Sequence, residues 1–205
     1  SPLSGPVSVY TRDAGGSWSK QAYIKASIAD GADLFGESLA LSADGNTPAV
    51  GARLEDSGAM DVHDTPPDNE DTQDSGAVYV FSRAAGTWTQ QAYVKASNTG
   101  PADQFGSALA LSADGRTLAV GAPDEDGPAD GLLSSGAVYV YSRDADSWTF
   151  QQYLSASDTD QGGSFGISVA LSFGGDVLVA GSRRARAYVF ERGASNWIEQ
   201  KIVQP

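Results

Sequence analysis

The chain reads as short alternating runs of apolar and polar residues, broken by Gly, Asp and Ser, and the runs recur in a fixed order. Phe-Gly stands at Phe35-Gly36, Phe105-Gly106 and Phe165-Gly166. Each pair leads into an alternating segment: Ser38-Leu39-Ala40-Leu41-Ser42, Ala108-Leu109-Ala110-Leu111-Ser112 and Ser168-Val169-Ala170-Leu171-Ser172. Period-two alternation marks a half-buried strand, so these segments predict a first strand, A. Ala43-Asp44-Gly45, Ala113-Asp114-Gly115 and Phe173-Gly174-Gly175 follow. Asp-Gly and Gly-Gly supply the positive φ that tight hairpin turns prefer. Strand B then reads Ala49-Val50-Gly51-Ala52, Leu118 to Ala122, and Leu178 to Gly181.

Strand C is the β-branched and aromatic run Ala77-Val78-Tyr79-Val80-Phe81-Ser82-Arg83, matched at Ala137 to Arg143 and more loosely at Ala187 to Arg192. Val7 to Arg12 is a fourth copy, preceded by Ser4-Gly5 where the others have Ser75-Gly76 and Ser135-Gly136. Strand D opens at Trp18, Trp88, Trp148 and Trp197. The predicted order is CD, ABCD, ABCD, ABCD, with no helix.

The Trp residues are 70, 60 and then 49 positions apart. One connector absorbs nearly all of that change. The B-to-C linkers Arg53 to Asp74, Pro123 to Ser135 and Ser182 to Arg184 hold 22, 13 and 3 residues, whereas the D-to-A linkers beginning at Ile28, Asn98 and Asp158 hold 7 each. A constant scaffold that carries one variable loop is the usual division between architecture and recognition.

Four-stranded antiparallel meanders at such a period pack radially as blades of a β-propeller, an all-β fold. The expectation is a single propeller segment over residues 1–205: strands C and D of a first blade at 7–27, then blades at about 35–97, 105–157 and 165–204. Small residues in strands A and B suit the crowded centre. The Tyr, Phe and Trp of strands C and D suit the wider space between blades. In an up-and-down meander the B-to-C and D-to-A connectors share one face of the disc, which is then the expected recognition face.

The Phe-Gly pairs, the Gly121-Ala122-Pro123 step and the Ser-Gly-Ala-Val-Tyr-Val segments together resemble the FG-GAP repeat of integrin α-subunit propellers and their bacterial relatives. Arg53 and Ser182 stand where that repeat has Pro. The resemblance implies a seven-bladed propeller, extracellular or cell-surface placement, an adhesion or binding role and often Ca²⁺ in acidic loops. The integrin cation signature, Asp-x-Asp-x-Asp-Gly-x-x-Asp in the A-to-B turn, is missing, because these turns are too short to wrap an ion.

Charge bears on partners. Against 13 Lys and Arg the chain has 26 Asp and Glu, a formal net charge of -13, which repels a phosphate backbone and excludes nucleic acid as a favoured partner. The acidity suits solubility, salty surroundings or cation binding. A partial cation motif stands in the second B-to-C linker, Asp124-x-Asp126-Gly127-x-x-Asp130, where alternate carboxylates flank a Gly bend as a hard cation requires. Asp124, Asp126 and Asp130 are the candidate Ca²⁺ ligands, with Glu125 or a backbone carbonyl completing the shell; a solvated acidic loop is the alternative. The first linker carries Glu55, Asp56, Asp61, Asp64, Asp68, Glu70, Asp71 and Asp74, among which spacing does not choose.

Catalytic chemistry finds little purchase. There is no Cys, and the one His, His63, lies in the longest linker, so neither a thiol nucleophile nor a multi-His metal site can be assembled. No glycine-rich phosphate loop opens a helix. A carboxylate-pair glycosidase is the one enzyme class left open. No run approaches the roughly 20 apolar residues of a membrane-spanning helix, and Ser1 to Val7 do not read as a signal peptide.

The expectation is therefore a module that binds a protein or carbohydrate ligand through its loop face; a structural segment of a larger enzyme or assembly is the alternative. One CD pair and three complete blades give an expected 14 strands. The missing A and B strands are expected before Ser1 or on a partner subunit, with Pro205 near the start of another Phe-Gly blade.

Overall fold

A computed structural model describes residues 5–28, 32–67, 69–127 and 131–204. These residues form fifteen strands and no helix. A hairpin pairs β1 (Val7–Arg12) with β2 (Trp18–Ile24). The first full blade contains β3 (Leu39–Leu41), β4 (Pro48–Ala52), β5 (Val62–His63), β6 (Ala77–Ala84) and β7 (Thr87–Val94). The second contains β8 (Ala108–Leu111), β9 (Thr117–Ala122), β10 (Ala137–Asp144) and β11 (Ser147–Leu154). The third contains β12 (Ser168–Leu171), β13 (Val177–Gly181), β14 (Ala187–Arg192) and β15 (Trp197–Val203). Neighbouring strands are antiparallel throughout, in the sheet order β3-β4-β6-β7-β5, β8-β9-β10-β11 and β12-β13-β14-β15.

The A-to-B turns are closed by their own side chains. Ser42 Oγ donates to Asp44 Oδ1 at 2.6 Å and accepts from the Thr47 amide, while Asp44 accepts from the Asn46 amide and Gly45 takes a φ of 68°. Ser112, Asp114 and Gly115 repeat the arrangement. In the third blade the carboxylate has moved two positions along, to Asp176, and still accepts from Ser172 Oγ. These hydrogen bonds hold the carboxyls of Asp44, Asp114 and Asp176 below the usual range. Each turn carboxylate is thus spent on the turn itself.

Packing between sheets follows one template, set by the Phe-Gly turn. Phe105 is fully buried and meets Tyr139 edge to face at 5.3 Å; Phe35 with Tyr79 and Phe165 with Tyr188 form the same pair in their own blades. The Phe-Gly backbone docks on the preceding blade: the Phe105 amide donates to Ser75 O and the Phe165 amide to Ser135 O. Close approach fixes the residue type here. A Cβ on Gly51 would lie 2.3 Å from the carbonyl oxygen of Gly106, and one on Gly121 would lie 2.0 Å from that of Gly166. Three apolar clusters result, one at each seam: β1–β2 on the first blade, first on second, and second on third.

The aromatics fill these seams in the complete blades, where Tyr79, Tyr93, Tyr139, Tyr141, Trp148 and Trp197 are buried. Tyr10, Trp18 and Tyr23 differ, with exposures of 54, 67 and 57%. Their hairpin packs through Val7, Val9 and Ile24 on the first blade only. A β-bulge interrupts every C–D pairing at the same place, between Val9 and Tyr10, Val80 and Phe81, Val140 and Tyr141, and Val189 and Phe190. The residue left over on strand D is Gln21, Gln91, Gln151 and Gln200, three positions after each Trp. The bulge turns Gln21 and Gln91 toward the next blade, where their Oε1 atoms accept from the indoles of Trp88 and Trp148.

Candidate ligand-recognition face

The first two B-to-C linkers leave their blades through the same dipeptide, Glu55-Asp56 and Glu125-Asp126, four residues after the strand-B glycine. In both, the Glu carbonyl accepts from the amide of the glycine just before strand C, Gly76 at 2.8 Å and Gly136 at 2.9 Å, and from the serine hydroxyl before it. The Asp carboxylate caps the far end of the loop: Asp56 Oδ1 accepts from the Asp74 amide and Asp126 Oδ1 from the Ser134 amide. The Asp carbonyls accept from Thr72 and Leu132. One clamp therefore closes loops of very different length.

Both Glu side chains are buried, at 2 and 1% exposure, and are partnered differently. Glu55 Oε2 accepts from Lys95 Nζ at 2.8 Å and from the Ser57 amide, and Lys95 Nζ also donates to Ser75 Oγ at 2.7 Å. Burial pulls the Lys95 pKa down, with the Glu55 charge opposing the shift. In the second blade Ser155 stands at the equivalent position. There Glu125 accepts from Tyr153 OH at 2.6 Å, from Asn98 Nδ2 at 2.8 Å and from the Gly127 amide at 3.0 Å. Burial and the Glu125 carboxylate raise the Tyr153 pKa.

The linkers of one blade lie against the D-to-A linker that follows. Gln73 O and Asp74 O accept from the amides of Ala102 and Gln104, Leu133 O and Ser134 O from those of Gly162 and Ser164, and Ala59 O from Thr99 Oγ1. Arg53 pairs with Glu37 of its own blade at 2.6 Å and crosses the same seam to Gln104 at 2.8 Å. The longest linker also travels outward, and β5 pairs Val62 with Val94 and His63 with Tyr93 along the outer edge of the first blade. That is the fifteenth strand, against an expected 14; a two-residue strand without alternation leaves no mark in the sequence. It covers an edge that would otherwise be open to pairing. His63 Nε2 lies 2.7 Å from Met60 O, within the loop.

Exposed on these linkers are Met60, Leu132 and Leu133, at 51, 40 and 55%, and, in the first linker, the acids Asp61, Asp64, Glu70 and Asp71. Asp124 is half-buried, and Asp126 commits one oxygen to Ser134. Asp130 and Asp68 lie outside the described residues. Both oxygens of Glu125 are engaged inside the protein, by Asn98, Tyr153 and the Gly127 amide. Among the described residues, no three His, Cys, Asp or Glu side chains converge as metal ligands. The repeated Glu-Asp dipeptide is a structural signal that alternation and turn chemistry do not reveal; it stands in the sequence as Gly-Ala-x-x-Glu-Asp at 51–56 and 121–126.

Stacked, Phe-Gly-entered antiparallel sheets, each with its B-to-C loop laid against the D-to-A linker that follows, define a propeller-type module of the kind used for binding. The FG-GAP repeat model matches residues 18–81, 88–141 and 148–195, and the chain belongs to the FG-GAP repeat family. Its members are structural and binding modules, typically of extracellular or surface proteins, and not typically enzymes. A comparison with curated proteins finds no match.

Proposed function

We propose that this chain is an extracellular or cell-surface adhesion module that recognises a protein or carbohydrate ligand through the face formed by its B-to-C and D-to-A linkers. One observation carries the reading: the same Glu-Asp clamp mounts B-to-C loops of different length on an otherwise constant blade. A fixed mount with variable loops is how a scaffold changes partners without changing its core. Met60, Leu132 and Leu133, set among carboxylates, supply apolar anchors with a polar rim, the usual anatomy of a recognition surface.

The direct test is a screen of glycans and candidate protein ligands with the wild-type chain and with a variant whose residues 58–71 are replaced by a short Gly-Ser turn. The clamp residues Glu55, Asp56 and Ser75 stay in place, so the blade keeps its buried ion pair. Binding found with the wild type should be lost in the variant, and binding that survives unchanged would remove the main support for this reading. A weak Ca²⁺ site at Asp124, Asp126 and Asp130 belongs to the same proposal, and calorimetric titration with Ca²⁺ in low-salt buffer tests it.

A further inference from the structure

Where the C-to-D turn of the third blade meets β11 of the second lies an open polar cavity of about 220 Å³. It sits at the opposite end of the blades from the B-to-C linkers, since strand C runs from the one to the other. In the two earlier seams the equivalent place is closed by a hydrogen bond from a Trp indole to the bulge glutamine. Trp88 Nε1 donates to Gln21 Oε1 at 3.4 Å and Trp148 Nε1 to Gln91 Oε1 at 3.2 Å. A second partner holds each glutamine in place: Arg83 Nη1 donates to Gln21 at 3.0 Å, and Gln91 Nε2 donates to Asp146 Oδ1 at 3.0 Å.

The third seam lacks this closure. Ser195 stands where the second blade's turn has Asp146, two residues before the Trp. Arg192 donates to Thr117 and lies over the Trp197 ring at 5.0 Å rather than reaching Gln151. Gln151 turns back to Thr149 of its own strand, donating at 3.3 Å. Trp197 is 5% exposed, yet among the described residues no acceptor meets its Nε1, and that atom is not one of the sealed polar atoms left without a partner. The indole N–H therefore opens into the cavity that Trp197 lines. Its backbone is fixed there by Gln152, which accepts from the Trp197 amide at 2.6 Å and donates to its carbonyl at 3.1 Å; the earlier copies have Ala22 and Ala92 at that register position.

We propose that this cavity is a binding site for a carboxylated sugar ring, a hexuronate. None of its lining residues is Asp or Glu, a local exception in a chain of net charge -13, and its one charged side chain is Arg192. Arg192 and the Trp197 indole offer donors only, which a carboxylate satisfies. Gln151, Asn196 and Ser195 offer donors and acceptors together, as ring hydroxyls require. The volume lies below the roughly 300–1,000 Å³ of pockets that enclose a drug-sized ligand, so a single ring is the unit recognised. The ligand carboxylate stands in for that of Asp146, which in the second blade meets Arg143 and Gln91.

The test follows the indole N–H signals of the isotope-labelled full chain by NMR as sodium D-glucuronate is added at constant ionic strength. The Trp197 signal should shift and saturate while those of Trp18, Trp88 and Trp148 stay in place. Glucose and acetate, each lacking one part of the ligand, should bind at least about tenfold more weakly, the loss expected when charge-assisted or hydroxyl hydrogen bonds go unmade. Ser195→Asp puts a carboxylate where Asp146 stands and should abolish the shift, whereas Ser195→Asn keeps the size without the charge and should retain it. Ser195 is exposed, so the blade tolerates both changes. An unmoved Trp197 signal overturns the proposal, as does glucose or acetate binding as tightly as glucuronate. Undiminished binding by Ser195→Asp, or equal loss in both variants, overturns it too.

Discussion

Equivalent glycines in successive blades separate what the backbone requires from what the repeat merely retains. Gly51 and Gly121 sit under the Phe-Gly carbonyl of the next blade, and a Cβ on either would overlap it; at Gly181 the nearest atom is the mobile Ser168 hydroxyl. Gly121→Ala should therefore cost about 2–3 kcal/mol in urea unfolding, from overpacking against fixed backbone, while Gly181→Ala should stay within about 0.5 kcal/mol of wild type. The Phe-Gly turns themselves were plain in the sequence. The buried Lys95–Glu55 pair was not, because a lysine at the end of an alternating strand ordinarily points to water and nothing local marks this one as covered. Lys95→Met would leave Glu55 buried without its cation and should destabilise the chain by about 3–5 kcal/mol in the same assay.

Strand order, turn positions and linker lengths were legible at the scale of elements, since each rests on local pattern: period-two alternation, Asp-Gly turns and β-branched runs. The extra strand β5 was not, since its two residues are held by the neighbouring edge and by the anchoring of the long loop at both ends. The bulge in every C–D hairpin belongs to the same class. Trp-x-x-Gln recurs at 18–21, 88–91, 148–151 and 197–200, yet only the register shows that Gln is the unpaired residue and that Gln21 and Gln91 reach the indole of the next blade. The variable linker was readable in the sequence but its clamp was not, because Glu55 and Glu125 look like two more acids in an acidic chain until their burial is known.

For the whole molecule, stability rests on seams between sheets, and the tyrosines in those seams tie it to pH. Burial and nearby carboxylates raise the pKa of Tyr93, Tyr139 and Tyr153, and burial foremost raises that of Tyr141. In the unfolded chain the same groups ionise near the usual tyrosine value of about 10. The folded state then holds more protons than the unfolded one above that pH, so this contribution is full below about pH 10 and is lost as pH rises past it. Absorbance of tyrosinate should accordingly show Tyr93, Tyr139, Tyr141 and Tyr153 ionising together in a step that coincides with loss of the β-sheet circular dichroism signal.

Scaffold and recognition are separable in this account, with blades held by Phe-Gly seams and binding carried by what the Glu-Asp clamp mounts. The measurement that tests this most directly sets unfolding free energy beside ligand binding for the chain with residues 58–71 replaced by a Gly-Ser turn. Loop length is cheap and the clamp is intact, but β5 and its pairing with β7 go with the loop, so stability should fall by about 1–3 kcal/mol, with the blades still folded, while binding disappears. A variant that keeps its binding, or one that loses binding only because its blades unfold, would contradict the separation.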